Sequence, residues 1–301
     1  MFGLFKKKSA SGQIKDQLTE KVKKVKSNKN DPTQNPDFLE LVTKWESFLA
    51  KIENRFNESL VNAENALLDN LEESNFDLTP TLTAWQGIKS NLQGLSTKID
   101  ETFDEKVSPQ MLEYIDRSDL IDQNQKGTVL SESIYERIER YEIILEGKVC
   151  QRFYDHAIHL LNHDFTCSQC SGKLDVRKDI FRMNYVSCDY CNTVNTFTPS
   201  DKIIQIRWVV DNIAKHKVID DWDTMKKAQD DFHEIRCPHE DQDKTEYTAG
   251  FKKREDTERN FWGKYFTERA KYLPEYEETI AHDTDVKMRW FYEERKRELN
   301  F

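Results

Sequence analysis

Four cysteines restrict what this 301-residue chain can fold into more than any other feature. Cys167 and Cys170 form one Cys-x2-Cys pair and Cys188 and Cys191 a second, with seventeen residues between the pairs. That is the spacing at which four thiolates close a tetrahedral zinc site. Each close pair can form a tight turn that points two sulfurs inward, and the residues between can run out and back as a hairpin. Cys170 is followed by Ser171 and Gly172, and Cys191 by Asn192, residue types that tolerate the left-handed backbone of a metal knuckle. Tyr185 and Val186 lead into Cys188, and Val194, Thr196, Phe197 and Thr198 lead away from Cys191, an enrichment in β-branched and aromatic residues that predicts two short strands.

On the stretches "FTCSQCSGKL" and "VSCDYCNTVNTF" the segment resembles a zinc ribbon, over about residues 165–198, roughly a tenth of the chain. The resemblance implies a small antiparallel sheet carrying one structural Zn2+ per chain on Cys167, Cys170, Cys188 and Cys191. It implies no particular activity, because zinc ribbons serve many. Two disulfides would be the other use of these thiols, but they belong to oxidising compartments. The chain opens with a short apolar stretch, Met1 to Phe5, followed at once by lysines, which does not read as a secretory leader and points to the cytoplasm. A catalytic zinc is disfavoured, since four thiolates leave no open position for water or substrate.

Long helices are expected elsewhere. With 9 Gly, 7 Pro and 33% charged residues, the composition favours helices with solvated faces over a turn-rich β fold. Leu41, Trp45, Phe48, Ile52, Phe56, Leu60, Ala63, Leu67 and Leu71 form an apolar stripe whose eight steps cover thirty residues, 3.75 on average. That is the period of a helix packed in a bundle rather than of a strict heptad. "FDLTP" ends this helix and starts another, with Thr79 as N-cap and Pro80 at the first helical position, carrying Trp85, Ile88, Leu92, Leu95, Ile99 and Phe103. A short helix led by Pro109, a loop "DQNQKGT" and a third long stripe through Ile134, Ile138, Tyr141, Leu145, Val149 and Phe153 follow. After Pro199 the pattern continues through Ile203, Ile206, Val209 and Ile213, then Trp222, Met225, Ala228 and Phe232. Phe261, Trp262, Tyr265, Phe266 and Tyr272 come next, and a last helix carries Val286, Trp290 and Phe291. The expected fold is mainly α: a basic head and linker (1–36), a bundle of long helices (37–163), an inserted small β zinc ribbon (164–198) and a C-terminal helical region (199–301).

Charge divides the chain. Residues 1–30 hold nine lysines against Asp16 and Glu20, a balance of +7, so the remainder carries −17 to reach the total of −10. Phe2, Leu4 and Phe5 precede Lys6, Lys7 and Lys8, the pattern of a weak anchor on an anionic membrane surface. Residues 164–198 contain four basic and four acidic residues, which gives no net attraction to phosphate and argues against nucleic acid. His156, His159 and His163 share a helix face and form one further candidate metal set; His233, Cys237 and His239 form another. Phosphate-binding loops, nucleophile elbows and His-Glu-x-x-His are missing. The sequence therefore reads as a non-enzymatic zinc-binding scaffold or adaptor with an unidentified protein partner, tethered to a membrane surface by its head. The alternative is a nucleic-acid-associated regulatory factor using the ribbon and the basic head.

Overall fold

The computed structural model describes residues 35–175, 180–236, 238 and 243–299. The fold is mainly α with a small β insertion. Helices α1 (Pro36–Glu73) and α2 (Leu78–Thr102) are joined by a tight turn. Helix α2 runs on through a π-helical turn, Phe103–Val107, into the short α3 (Ser108–Met111), and α4 (Arg117–Asp164) follows. The insertion contributes β1 (Asn184–Ser187) and β2 (Val194–Phe197). The chain then returns to helix as α5 (Asp201–Lys217), α6 (Ile219–His233) and α7 (Thr245–Tyr272), a 3-10 segment Pro274–Thr279, and α8 (Ile280–Leu299). No helix among the described residues is long and apolar enough to cross a membrane. The described residues divide into two compact units, those within Met1–Asn70 and Thr79–Tyr141, and those within Leu71–Leu78 and Glu142–Phe301.

In the first unit the buried line on α1 starts with Phe38 and Val42 and continues through Trp45, Leu49, Ile52, Phe56, Ala63 and Leu67. Leu41, Phe48 and Leu60, expected in that line, are only half-buried; in the N-terminal part of the helix Phe38, Val42 and Leu49 hold the inward phase instead. Trp85, Leu92, Leu95, Ile99 and Phe103 of α2 and Ile134 and Ile138 of α4 complete the core. Helix α2 begins at Leu78, one residue before the expected N-cap, so Pro80 falls within the first turn, where its missing N–H costs no helical bond.

The expected loop at 122–128 is not a loop: α4 runs straight through it. Gly127 explains the misreading. A Cβ at Gly127 would lie 3.0 Å from Trp45 Cζ2 and 3.1 Å from Ile99 Cγ2, so the glycine admits a close approach rather than making a turn. Around it, Trp45 Nε1 donates to the Gln123 carbonyl at 3.1 Å and Lys126 pairs with Glu46 at 2.7 Å, which turns the polar run into an interface.

In the second unit, the end of α1 is closed by a Schellman motif: Phe76 N–H donates to Leu71 O at 2.8 Å and Asn75 N–H to Glu72 O at 3.0 Å. Both Asn75 and Phe76 take left-handed backbone, at φ 54° and 57°, which is costly for an aromatic residue. Phe76 is held by stacking on His156, with ring centroids 3.7 Å apart and planes 2° apart, while Lys202 donates to the Asn75 carbonyl. Phe261, Tyr265 and Phe266 of α7 pack with Ala214, Val218 and Met225. Phe232, Phe251, Met288 and Phe291 form a second cluster, with the Arg254 guanidinium 5.8 Å and 5.0 Å from the centroids of the Phe232 and Phe291 rings. On α8 the core line is Thr284, Met288 and Phe291. Trp290, expected inside, is 75% exposed because it lies two positions out of phase with Met288.

Candidate metal centre

The insertion is built from two turns of the same design. In the first, Cys167 N–H donates to Gly172 O at 2.7 Å, and Ser171 N–H returns to Cys167 O at 2.9 Å. In the second, Cys188 N–H donates to Thr193 O at 2.9 Å, and Asn192 N–H returns to Cys188 O at 2.8 Å. The two turns thus repeat one hydrogen-bond ring, and each places a residue in left-handed backbone, Ser171 at φ 58° and Asn192 at φ 59°. Gly172 has a different task. An added Cβ there would sit 2.7 Å from Tyr190 Cδ2, so the glycine lets the second turn lie against the first.

The two antiparallel strands extend the second turn, pairing Asn184 with Phe197, Tyr185 with Thr196, Val186 with Asn195 and Ser187 with Val194. Their inner face carries Phe197, whose ring meets Phe165 edge-on at 5.0 Å. A small core of Cys167, Leu174 and Cys188 with Phe165, Val186 and Cys191 fills the space beneath. The insertion is also braced on the helices: the Arg207 guanidinium of α5 lies 4.6 Å from the centroid of the Phe181 ring.

The four sulfurs converge. All lie within 4.8 Å of one another, with Cys167 to Cys191 and Cys170 to Cys188 each at 3.5 Å. A tetrahedral zinc at about 2.3 Å from each thiolate sets the sulfurs about 3.8 Å apart, so the observed cage matches the size of one such ion. Among the described residues no other group of three or more His, Cys, Asp or Glu side chains converges in this way.

Backbone and side-chain donors surround the sulfurs. The Cys170 and Gln169 N–H groups point at Cys167 Sγ, and with Asn195 and Cys191 they pull that thiol down to about 6. Thr193 lowers Cys191 through its side chain and its N–H. The Gly172 N–H pulls Cys170 the same way, but the neighbouring Cys191 and Cys188 sulfurs prevail and push it up to about 12. A four-sulfur cage without a cation must keep some of its protons, and a dication that displaces them removes that conflict.

Asn195 is the residue that cysteine spacing does not reveal. Buried on β2, it accepts from Ser168 N–H at 2.9 Å and from Ser168 Oγ at 3.0 Å, and turns its Nδ2 toward Cys167 Sγ at 3.6 Å. It ties the first turn to β2 and donates to Cys167 Sγ. Its only trace in the sequence is a polar side chain on the inward phase of a strand.

The other candidate sites do not assemble. His156 is occupied with Phe76, His159 and His233 are exposed, and the side chain of His163 as well as Cys237 and His239 lie outside the described residues. The head residues Phe2, Leu4, Phe5, Lys6, Lys7 and Lys8 lie outside them too. Comparison with protein-family models, with curated proteins and with solved structures finds no match.

Proposed function

We propose that Cys167, Cys170, Cys188 and Cys191 hold one structural zinc ion in a zinc ribbon, and that the protein is a non-enzymatic scaffold or adaptor. In this reading the ribbon presents a protein-interaction surface and the basic head tethers the chain to an anionic membrane surface. The observation that carries the reading is the closed four-sulfur cage on two matching turns. Four thiolates fill the coordination sphere, so the ion supplies folding energy rather than a reactive water. The exposed side chains of the insertion support an interaction role: Met183, Tyr185, Tyr190 and Val194 are 65%, 77%, 78% and 61% exposed, a concentration of large apolar groups that marks contact surfaces.

Affinity capture from the native cell, read by mass spectrometry, tests it. The wild-type chain should retain a partner that the Cys167→Ser/Cys188→Ser variant loses. An identical partner set for both would remove the ribbon from the interaction.

A further inference from the structure

The β1 edge of the insertion is complementary to itself. Cys188 N–H donates to Thr193 O, and in an antiparallel pair the groups pointing toward the partner strand alternate with groups pointing away. The register carries that alternation along β1, so the N–H and C=O of Tyr185 and Ser187 point to the outer edge. Among the described residues β1 has one strand neighbour, β2. The stretch 183–187, "MNYVS", holds no charge and no proline, the two devices that most often blunt an open edge. Tyr185 and Ser187 are also exposed in their side chains, so the unpaired edge and the unpartnered sheet face coincide.

Charge at the two ends of the strand argues for what covers it. Arg182 precedes β1 and Asp189 follows it; both are exposed, and neither has an ion-pair partner among the described residues. A twofold axis through Val186 sets Tyr185 opposite Ser187 of the second copy and closes two pairs of N–H to O=C bonds. The same axis brings the N-terminal end of β1, just after Arg182, beside the C-terminal end of the second copy's β1, just before its Asp189, and repeats the arrangement at the other end. Both ends then gain an opposite charge. We propose that the protein dimerises by antiparallel β1–β1 pairing, forming a continuous four-stranded sheet across two ribbons. The proposal rests on the zinc-ribbon reading, because the metal cage fixes β1.

Sedimentation velocity on the full-length, zinc-loaded chain from about 5 to 200 μM tests it, with zinc per chain measured in every sample. The expected result is a reversible dimer. Arg182→Glu and Asp189→Arg, each alone, should raise its dissociation constant about tenfold or more, and the double variant, which swaps the charges, should recover to within about threefold of wild type. Zinc-loaded protein that stays monomeric at every concentration leaves the edge to a strand from another protein and overturns the self-pairing, as does a dimer indifferent to the single reversals or not rescued by the swap. Protein that holds no zinc overturns the ribbon reading itself, and the pairing with it.

Discussion

At Gly147 helix α4 lies close against His216 of α5, and Gly147→Ala should destabilise the second unit. An added Cβ would lie 2.2 Å from His216 Cβ and 2.7 Å from its Cγ, against about 3.5–4.0 Å for non-bonded carbons at rest. The obstructing atom is a Cβ, fixed to the backbone, so no rotamer change relieves the overlap and the helices must move apart by more than about an ångström. Separation loosens the neighbouring contact, where Asn212 Nδ2 turns toward the buried Cys150 Sγ at 3.7 Å. The alanine gains about 1 kcal/mol of helix propensity. Overpacking a rigid core costs about 1–3 kcal/mol and occasionally more, and an overlap of this depth lies at or above the upper end. The net expectation is a loss of about 2 kcal/mol. Gly87→Ala is the control: nothing lies within 4 Å of its added Cβ, so it should stabilise by up to about 1 kcal/mol. Because the chain has two compact units, one melting temperature does not isolate the effect. Hydrogen exchange read by mass spectrometry on peptides from α4 and α5 does. A Gly147→Ala protein with wild-type protection there, alongside the expected gain in Gly87→Ala, would refute the close-approach argument.

Asn195→Ala should weaken zinc binding about 10- to 100-fold, the usual effect of losing a residue that orients a metal ligand; competition with a chromophoric chelator measures this, and unchanged affinity would deny Asn195 its bracing role. Cys150 is fully buried and its thiol is pushed up to about 12, chiefly by burial. Iodoacetamide at about pH 8 should therefore leave it unmodified in the native protein, and rapid labelling in a peptide map would contradict its placement. The basic head should give salt-sensitive flotation with anionic vesicles, each lysine near the surface contributing about 1 kcal/mol. Flotation that survives deletion of residues 1–30, or is absent at low salt, would end the tether idea.

The four-sulfur cage was legible because its information is local. Two Cys-x2-Cys pairs followed by Ser171 and Asn192 specify the knuckles, and the β-branched run after Cys191 specifies the strand. The helical stripes were legible for the same reason, since Trp45, Ile52, Phe56 and Leu67, and Trp85, Leu92, Leu95 and Ile99 of α2, recur at helical spacing and are buried, while Ile88 of the same line is half-buried. What escaped depends on partners distant in sequence. Gly127 reads as a loop signal until Trp45 and Ile99 are beside it, and His156 reads as a possible ligand until Phe76 stacks on it. Trp290 shows the limit of composition, because hydrophobicity suggested the core while helical phase gave that place to Met288 and Phe291.

Elemental analysis of the purified chain, prepared without chelators, tests the central claim most directly. A closed cage of four thiolates predicts about one zinc per chain, lost in the Cys167→Ser/Cys188→Ser variant. Metal content near zero in the wild type, or full zinc retention in that variant, would contradict the account.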